Sequence, residues 1–128
     1  MTHTKNGEVV ERLIEALNTR DLDLFHAQFH EDSVMEYPQS GERVVGGENR
    51  RAVYGAFPSL PKVTTRRILE GGDLVVVDAR LDYGDGADWR AIFVFELRDG
   101  KIARETAYWP QSFEAADWRA EWVERIED

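Results

Sequence analysis

The fold is decided by residues 63–109, which read VTTRRILEGGDLVVVDARLDYGDGADWRAIFVFELRDGKIARETAYW. Apolar and polar residues alternate through four runs, at 63–70, 74–83, 88–98 and 101–109, and such alternation is typical of half-buried β-strands. Glycine and aspartate separate the runs, and the last separator, Asp99-Gly100, favours a two-residue hairpin. This stretch therefore predicts a four-stranded antiparallel meander.

The residues before the meander have helical spacing. Apolar side chains at 9, 10, 13, 14 and 17 predict a first helix, and Asp21 is expected to cap a shorter second helix. A short strand at 34–37, a glycine-containing loop at 40–47 and a third helix at 48–57 follow. The third helix is expected to turn Ala52, Val53, Ala56 and Phe57 inward.

The residues after the meander also have helical spacing. Trp118, Trp122 and Ile126 are four residues apart, and the neighbouring alanines favour a helix over residues 113–126. Helices gathered before a meander predict an α+β fold in which a bent antiparallel sheet packs against N-terminal helices. We expect residues 1–128 to form one domain, and a curved sheet closed by helices makes a cone whose open mouth can bind a small molecule.

Charge and composition exclude several classes of function. The chain has 128 residues, with 16 Lys and Arg against 25 Asp and Glu, for a net charge of −9. An acidic chain without a cluster of basic residues is not expected to bind nucleic acid or anionic membranes. Cysteine is absent, which excludes disulfides and thiolate chemistry. The polar N-terminus has no signal-peptide core, and the expected location is the cytoplasm.

Several motifs resemble those of the nuclear transport factor 2-like superfamily, in particular its SnoaL-like and ketosteroid-isomerase-like members. The motifs are Ala16-Leu17-Asn18, Asp21-Leu22-Asp23, residues 29–34 (FHEDSV) leading to Tyr37-Pro38, Gly46-Gly47-Glu48-Asn49, and Asp99-Gly100-Lys101-Ile102. The resemblance spans nearly the whole chain and implies the cone-shaped fold. It implies no single activity, because the superfamily contains isomerases, cyclases, hydrolases, dehydratases and non-catalytic binding proteins.

The residues that define ketosteroid isomerases are replaced here. The resemblance places their aspartate base at Tyr37, their oxyanion-binding tyrosine near Leu13 and their protonated aspartate near Phe93. A phenol with a pKa near ~10 is a poor base at neutral pH, so that mechanism is rejected. The limonene-epoxide-hydrolase-like members match better through Arg80-Leu81-Asp82, although the second aspartate of that group falls on Ala107.

Glu105 is the candidate for the missing carboxylate. It shares a strand face with Ala107, since side chains alternate along a strand, and the small neighbours Ala103 and Ala107 leave space beside it. If Glu105 is buried among apolar groups, its pKa rises and it can act as an acid or base near pH 7. A solvated surface strand is the alternative.

The strand at 74–83 leaves open which face of the sheet lines the cavity. One face carries only apolar side chains, namely Val75, Val77, Ala79, Leu81 and Tyr83, and the other carries Leu74, Val76, Asp78, Arg80 and Asp82. In the first interpretation the charged face lines the cavity mouth, and Tyr37, Arg80, Asp82 and Glu105 converge there. In the second, the apolar face is the inner one, and Asp78, Arg80 and Asp82 lie on the wet outer face, which carries a cross-linked ion pair.

The remaining candidates concern ligands. Tyr37, Phe93 and Trp109 are expected to contact the substrate, because the fold aims the Tyr37 position into the cavity and aromatic walls favour an apolar ligand. His26 and His30 lie four residues apart, a spacing that can bind zinc, but no third ligand is in register and they are expected at the solvated edge of the second helix. We therefore predict no metal and no cofactor.

Two functions follow as hypotheses. The first is a cofactor-free acid–base enzyme of hydrolase, isomerase or cyclase type, acting on a small apolar molecule through Arg80, Asp82 and Glu105. The second is a non-catalytic module that uses the same cavity to bind a ligand or a partner. We also expect a homodimer that pairs through the sheet, since an apolar sheet face left in water is rare on a monomer.

Overall fold

The computed structural model describes residues 5–126. Its elements are α1 (Lys5–Asn18), α2 (Leu22–Ala27), β1 (Phe29–Tyr37), β2 (Glu42–Val45), α3 (Gly47–Ala56), β3 (Lys62–Gly71), β4 (Leu74–Asp82), β5 (Trp89–Arg98), β6 (Lys101–Tyr108) and a 3₁₀ helix (Asp117–Trp122). The six strands form one sheet in the order β2-β1-β6-β5-β4-β3, in which only β1 and β6 run parallel. The predicted α+β class is confirmed.

The N-terminal helices are held by polar caps as well as by apolar packing. Asn18, the last residue of α1, accepts a hydrogen bond from the Val63 N–H at 2.7 Å and donates one to the Val63 carbonyl at 2.8 Å. Its amide thus bonds the edge strand β3 as a neighbouring strand would. The Asp21 carboxylate accepts a bond from the Leu24 N–H at 3.1 Å and caps α2, as predicted.

The hairpin between β5 and β6 confirms the reading of Asp99-Gly100. Both residues have positive φ, 51° at Asp99 and 78° at Gly100. Two consecutive positive φ angles are what a type I′ turn requires, and its twist matches that of the flanking strands. The turn pairs Arg98 with Lys101, and a register shift between Glu96 and Leu97 then places Glu105 opposite Phe95.

The two faces of the sheet differ in character. On β4 the side chains of Val75, Val77, Ala79 and Leu81 are buried against the helices. We call this side the inner face and the side that carries Arg80 and Asp82 the outer face. The second interpretation of residues 74–83 is therefore the one observed. In the part of the chain that the structure describes, no helix is long and apolar enough to cross a membrane.

Three local predictions are wrong. Strand β1 begins at Phe29 rather than at residue 34, and strand β2 lies inside the expected loop at 40–47. Helix α3 buries Gly47 and Arg50 and leaves Ala52 and Ala56 exposed. Interior acceptors for the Arg50 guanidinium outweigh the small apolar gain from burying two alanines, so the helix turns its polar side inward.

The C-terminal segment is also not the predicted helix. Residues 113–126 contain only the short 3₁₀ helix, and its ends lie in extended backbone. Trp118 and Trp122 are 74% and 75% exposed, and Ile126 is exposed as well. An apolar stripe stabilises a helix mainly when it packs on another surface, and the described chain offers this segment none.

Candidate active site

A small cavity, partly open to solvent, lies between the inner face and helix α3. Its volume is about 50 Å³, and a second cavity of about 40 Å³ adjoins it and shares Tyr54, Phe93 and Glu105 with it. Glu105 is the only acidic or basic side chain among the described residues that line either cavity. The larger cavity is lined by Leu17, Tyr37, Tyr54, Phe57, Pro61, Val63, Leu81, Tyr83, Phe93, Glu105, Ala107 and Trp109.

Strand β6 places Glu105 at the centre of the inner face. Glu105 is paired with Met35 of β1 on one side and with Phe95 of β5 on the other, and all three residues are buried. Within residues 5–126 no side chain or N–H donates a hydrogen bond to its carboxyl group. Burial raises the pKa of Glu105 to about 7, and the positive charge of Arg50 opposes this rise only in part.

Three tyrosines line the cavity with Glu105, namely Tyr37, Tyr54 and Tyr83, and two of them have phenols whose pKa is raised by burial and by Glu105. Tyr37, at the end of β1, packs edge to face on Trp109 with ring centroids 4.8 Å apart, and Tyr54 of α3 packs on Phe25 at 4.6 Å. Burial raises the pKa of both phenols, and the nearby carboxyl of Glu105 raises each of them further. Both hydroxyls therefore stay protonated at neutral pH and can donate hydrogen bonds.

A buried arginine lies behind the cavity. Arg50 of α3 is 1% exposed, its Nε donates to His26 Nδ1 at 3.0 Å, and its Nη1 donates to Ser33 Oγ at 2.6 Å. Its guanidinium carbon also lies 4.3 Å from the ring centroid of Phe29. Burial and the charges of Arg50 and Arg51 lower the pKa of His26 to about 4, so its ring is neutral and accepts the bond.

A family profile for SnoaL-like domains matches residues 10–105. The chain belongs to the SnoaL-like family. By sequence alone, no protein of curated function matches it.

Solved structures of similar proteins have the same nuclear transport factor 2-like fold. An NTF-2 like protein of unknown function from Burkholderia xenovorans LB400 is 33% identical, with a TM-score of 0.88 and 96% of each chain covered. A candidate ketosteroid isomerase from Kribbella flavida DSM 17836 is 27% identical, with a TM-score of 0.87 over 97% of this chain and 91% of that one. An LEH-like epoxide hydrolase from M. tuberculosis, 24% identical with a TM-score of 0.71 and 83% of each chain covered, is similar in fold alone.

In this SnoaL-like chain, Arg80 and Asp82 lie away from the cavity. Arg80 projects from the outer face and pairs with Asp88 at 2.9 Å, while the Asp82 carboxylate accepts a bond from the Gly84 N–H at 2.8 Å. Both are exposed and line a separate surface depression with Gly86. The predicted convergence of four side chains is wrong for these two, because strand alternation puts positions 80 and 82 opposite the buried Leu81.

The other candidates come together in the cavity. Tyr37, Phe93, Trp109 and Glu105 all line it. Ala107, where the family comparison expected an aspartate, is buried one alternation step from Glu105 and leaves part of the open space. A carboxyl group is thus present on the last strand of this SnoaL-like domain, two residues earlier than the expected position.

The histidines do not form a metal site. His26 lies in α2 and His30 in β1, so their spacing is not that of one helical face, and His30 Nε2 lies 2.5 Å from the Arg98 carbonyl oxygen. No group of three His, Cys, Asp or Glu side chains suited to a metal occurs in residues 5–126. The prediction that both histidines lie at a solvated edge is wrong for His26, which is buried.

Sequence reasoning missed Tyr54 and Arg50. Residues 50, 54 and 57 follow helical spacing and therefore share one face of α3. This face can be recognised from the sequence only if the inward face of the helix is allowed to carry a polar residue. The apolar-face rule instead selected the alanines, because an arginine is rarely buried without a carboxylate partner. A further signal in the sequence was the presence of polar groups upstream that can accept hydrogen bonds from a buried arginine, namely those of His26, His30 and Ser33.

Proposed function

We propose that this protein catalyses proton transfer on a small, neutral, largely apolar substrate, with Glu105 as the general acid and base. One observation carries the proposal, namely a single buried carboxyl group in a cavity whose other walls are aromatic and aliphatic. A general base works best when its pKa lies near the working pH, and such assistance is worth ~10²–10⁴ in rate. Burial brings the pKa of Glu105 to about 7, which meets this condition.

The tyrosine hydroxyls supply the complementary function. When a base removes a proton next to a carbonyl group, negative charge develops on the carbonyl oxygen, and fixed donors lower the energy of that state. Tyr37 and Tyr54 are the phenols beside Glu105, and their raised pKa values keep them in the donor form. In the proposed step Glu105 takes the carbon-bound proton, and the phenols hold the enolate oxygen until the proton returns at another carbon.

The exposure of Asp82 favours this single-base chemistry over hydrolysis. Activation of water by a carboxylate pair requires two acids that face the same space, and Asp82 lies on the outer face. Isomerisation or cyclisation through an enolate needs one base and oxyanion donors. These are the group types that line the cavity.

The size of the cavity restricts the substrate in the state described. Drug-sized ligands occupy pockets of roughly 300–1,000 Å³, whereas the two adjoining cavities measure about 50 and 40 Å³. A ring-sized ketone is larger than this space, so its entry requires the lining side chains to move apart. The absence of a basic side chain among the described lining residues favours a neutral molecule over an anion.

Non-catalytic binding of an apolar ligand is the second candidate. It is favoured by the carboxyl group of Glu105 having no hydrogen-bond partner within residues 5–126 to fix its orientation. Catalytic groups are usually held by neighbours, whereas a binding cavity needs only shape and a neutral carboxyl group that can donate to a ligand oxygen.

Exchange of carbon-bound hydrogen for deuterium distinguishes the two functions. We expect small cyclic and aryl ketones, with cyclohexanone and acetophenone as probes, to lose α-protons in D₂O in NMR spectra when the protein is present. The rate is expected to fall at least ~100-fold in Glu105→Gln and to be unchanged in the control Asp82→Asn. Probe binding without exchange in wild type supports the non-catalytic function instead, and equal exchange in wild type and Glu105→Gln contradicts the proposed base.

A further inference from the structure

We propose that the mouth of the cavity binds the head group of a small quaternary or tertiary ammonium ion. In this site the positive charge lies against the rings of Tyr37, Tyr83 and Trp109, and the carboxylate of Glu105 is its counter-charge. The inference concerns the entrance of the cavity and does not depend on the proton-transfer function.

The mouth is walled by aromatic rings. Tyr37, Phe57, Tyr83 and Trp109 line the cavity and are half-buried, so part of each ring lies at the opening. The rings stand steeply to their neighbours, because Tyr37 meets Trp109 at 88° and Tyr83 meets Trp89 at 71°. The faces of aromatic rings carry negative potential, and several such rings around one opening form a cage of the kind that binds quaternary ammonium groups.

The charges close to these rings are negative. Burial raises the pKa of Tyr37, and the charges of Glu105 and Glu42 raise it further, so both carboxyl groups lie near this phenol. Burial likewise raises the pKa of Tyr83, and the charge of Asp85, in the loop between β4 and β5, adds to this rise. Among the described residues that line the cavity there is no basic side chain. The net charge of −9 also favours the approach of a cation.

The arginines of the chain do not occupy the rings of the mouth. Within residues 5–126, a guanidinium lies over a ring at two places, Arg50 over Phe29 and Arg119 over Trp118. Neither ring lines the cavity. The aromatic rings at the mouth are therefore available to a cation from solution.

One arginine is bonded to the backbone of the cavity wall. Arg20 donates to the carbonyl oxygens of Pro61, Leu60 and Leu17 at 2.8, 2.9 and 2.7 Å. These bonds hold its guanidinium on the backbone, and its side chain is not part of the cavity lining. Arg20 thus leaves the rings of the mouth uncovered.

The mouth suits an ammonium group that has few N–H bonds. A primary ammonium group needs three acceptors when it leaves water, whereas this lining offers phenol oxygens and one carboxyl group. A quaternary ammonium group has no N–H, and its methyl groups bury apolar surface against the rings. It also rests in the opening, so the small volume of the enclosed space does not exclude it.

Glu105 supplies a charge that responds to the ligand. Burial raises its pKa to about 7, and a bound cation favours the ionised form. Binding should therefore release a proton from Glu105 and become tighter as the pH rises to about 7. The other titratable groups that act on this carboxyl group are Tyr37 of β1 and Tyr54 and Arg50 of α3, and none of them changes its charge between pH 5 and 8.

The first test compares choline with 3,3-dimethylbutan-1-ol, which has the same shape and no charge. Each is titrated into ¹⁵N-labelled protein at pH 8 and followed by NMR of the indole N–H signals, with that of Trp109 assigned by its loss in Trp109→Phe. We expect choline to shift the Trp109 signal and to bind at least about 10-fold more tightly than the alcohol. Equal affinities, or shifts confined to Trp118 and Trp122, overturn the proposal.

The second test changes the charge distribution of one ring and keeps its shape. Tetrafluorotryptophan replaces Trp109, because fluorine withdraws electrons from the ring face. We expect choline to bind at least about 5-fold more weakly and 3,3-dimethylbutan-1-ol to bind as before. The same replacement at the exposed Trp118 is the control and should change neither affinity. Unchanged choline binding, or an equal loss for both ligands, contradicts the site.

The third test concerns the counter-charge. The dissociation constant of choline is measured at pH 5.5 and pH 8 in wild type and in Glu105→Gln. We expect binding to wild type to be at least about 3-fold weaker at pH 5.5, and binding to Glu105→Gln to be the same at both values. Choline binding to wild type that does not depend on pH, or the same dependence in Glu105→Gln, overturns the assignment of Glu105.

Discussion

Glu105 and Arg50 are both buried in one interior, and no ion pair joins them. Glu105 is 4% and Arg50 1% exposed, yet the donors of Arg50 bond the His26 ring, the Ser33 hydroxyl and backbone carbonyls. A buried carboxyl and a buried guanidinium usually meet, because separate burial of two charges is costly. Here the carboxyl group can avoid that cost by holding its proton, and this keeps it available for acid–base work.

Removal of the Arg50 charge is expected to raise the pKa of Glu105 further. Arg50→Met takes away the one cation that opposes the effect of burial. Ser33→Ala is the matched control, since it deletes one hydrogen bond to Arg50 and leaves the charge in place. The shift is measured on the Glu105 carboxyl carbon by NMR. An unchanged pKa in Arg50→Met, or equal shifts in both variants, contradicts the coupling.

The raised pKa of Glu105 is expected to make the stability of the protein fall as the pH rises from 4.5 to about 7. In that range the folded protein keeps a proton that the unfolded chain has released, so increasing pH favours unfolding. One pKa unit corresponds to about 1.4 kcal/mol. The free energy of unfolding of Glu105→Gln, relative to that of wild type, should therefore increase by about 3 kcal/mol between pH 4 and pH 8. Urea unfolding at each pH measures the difference, and parallel curves for the two proteins exclude a buried ionisable Glu105.

His26 is expected to act in the opposite direction over nearly the same pH range. Its pKa is lowered to about 4, so between pH 6.5 and 4 the unfolded chain binds a proton that the folded protein does not. Stability should therefore fall as the pH decreases. In wild type Glu105 offsets this trend, whereas Glu105→Gln should become visibly acid-sensitive. Thermal melting of both proteins from pH 4.5 to 7.5 checks this, and an acid-insensitive Glu105→Gln contradicts it.

The two phenols are expected to contribute to turnover without holding the fold. Tyr37→Phe and Tyr54→Phe keep the ring packing on Trp109 and Phe25 and remove only the hydroxyl groups. Loss of one oxyanion donor typically lowers kcat by about 10²–10³. Deuterium exchange into the ketone probes gives the rate, and Tyr83→Phe, at another phenol of the cavity wall, is the control. Full activity in both variants contradicts an oxyanion role.

Arg80→Ala is expected to leave turnover unchanged. The side chain lies on the outer face, is 44% exposed and pairs with the exposed Asp88. Exposed ion pairs add little to stability, so the melting temperature should change little as well. Loss of deuterium exchange in Arg80→Ala with an intact fold would restore the outer depression as a candidate site.

Local patterns in the sequence predicted most of the fold. Alternation located β3 to β6 to within two residues, Asp99-Gly100 specified its turn, and Asp21 specified its cap, because each of these signals acts between neighbours in sequence. The prediction of a helix over residues 113–126 was wrong for the converse reason. The apolar spacing there indicates a surface that needs to be buried, and whether the segment forms a helix depends on the surface that it contacts.

The candidate site was predicted in part. Strand parity correctly placed Glu105 and Ala107 on one face, but parity alone does not say which face of β4 lies inside. The sequence therefore left two interpretations open, and the one that placed Arg80 and Asp82 in the cavity is wrong. Tyr54 and Arg50 reach the interior through the packing of α3, which depends on polar partners distant in sequence. Such partners become visible only in three dimensions.

The pKa of Glu105 in the free protein tests the central claim most directly. It is measured by titrating the side-chain carboxyl carbon in ¹³C-Glu-labelled protein from pH 3 to 9, with the signal assigned by its loss in Glu105→Gln. The buried carboxyl group described above predicts a midpoint of about 7. A midpoint near 4.5, the ordinary value for glutamate, would mean that water reaches Glu105 and would contradict its role as the acid and base.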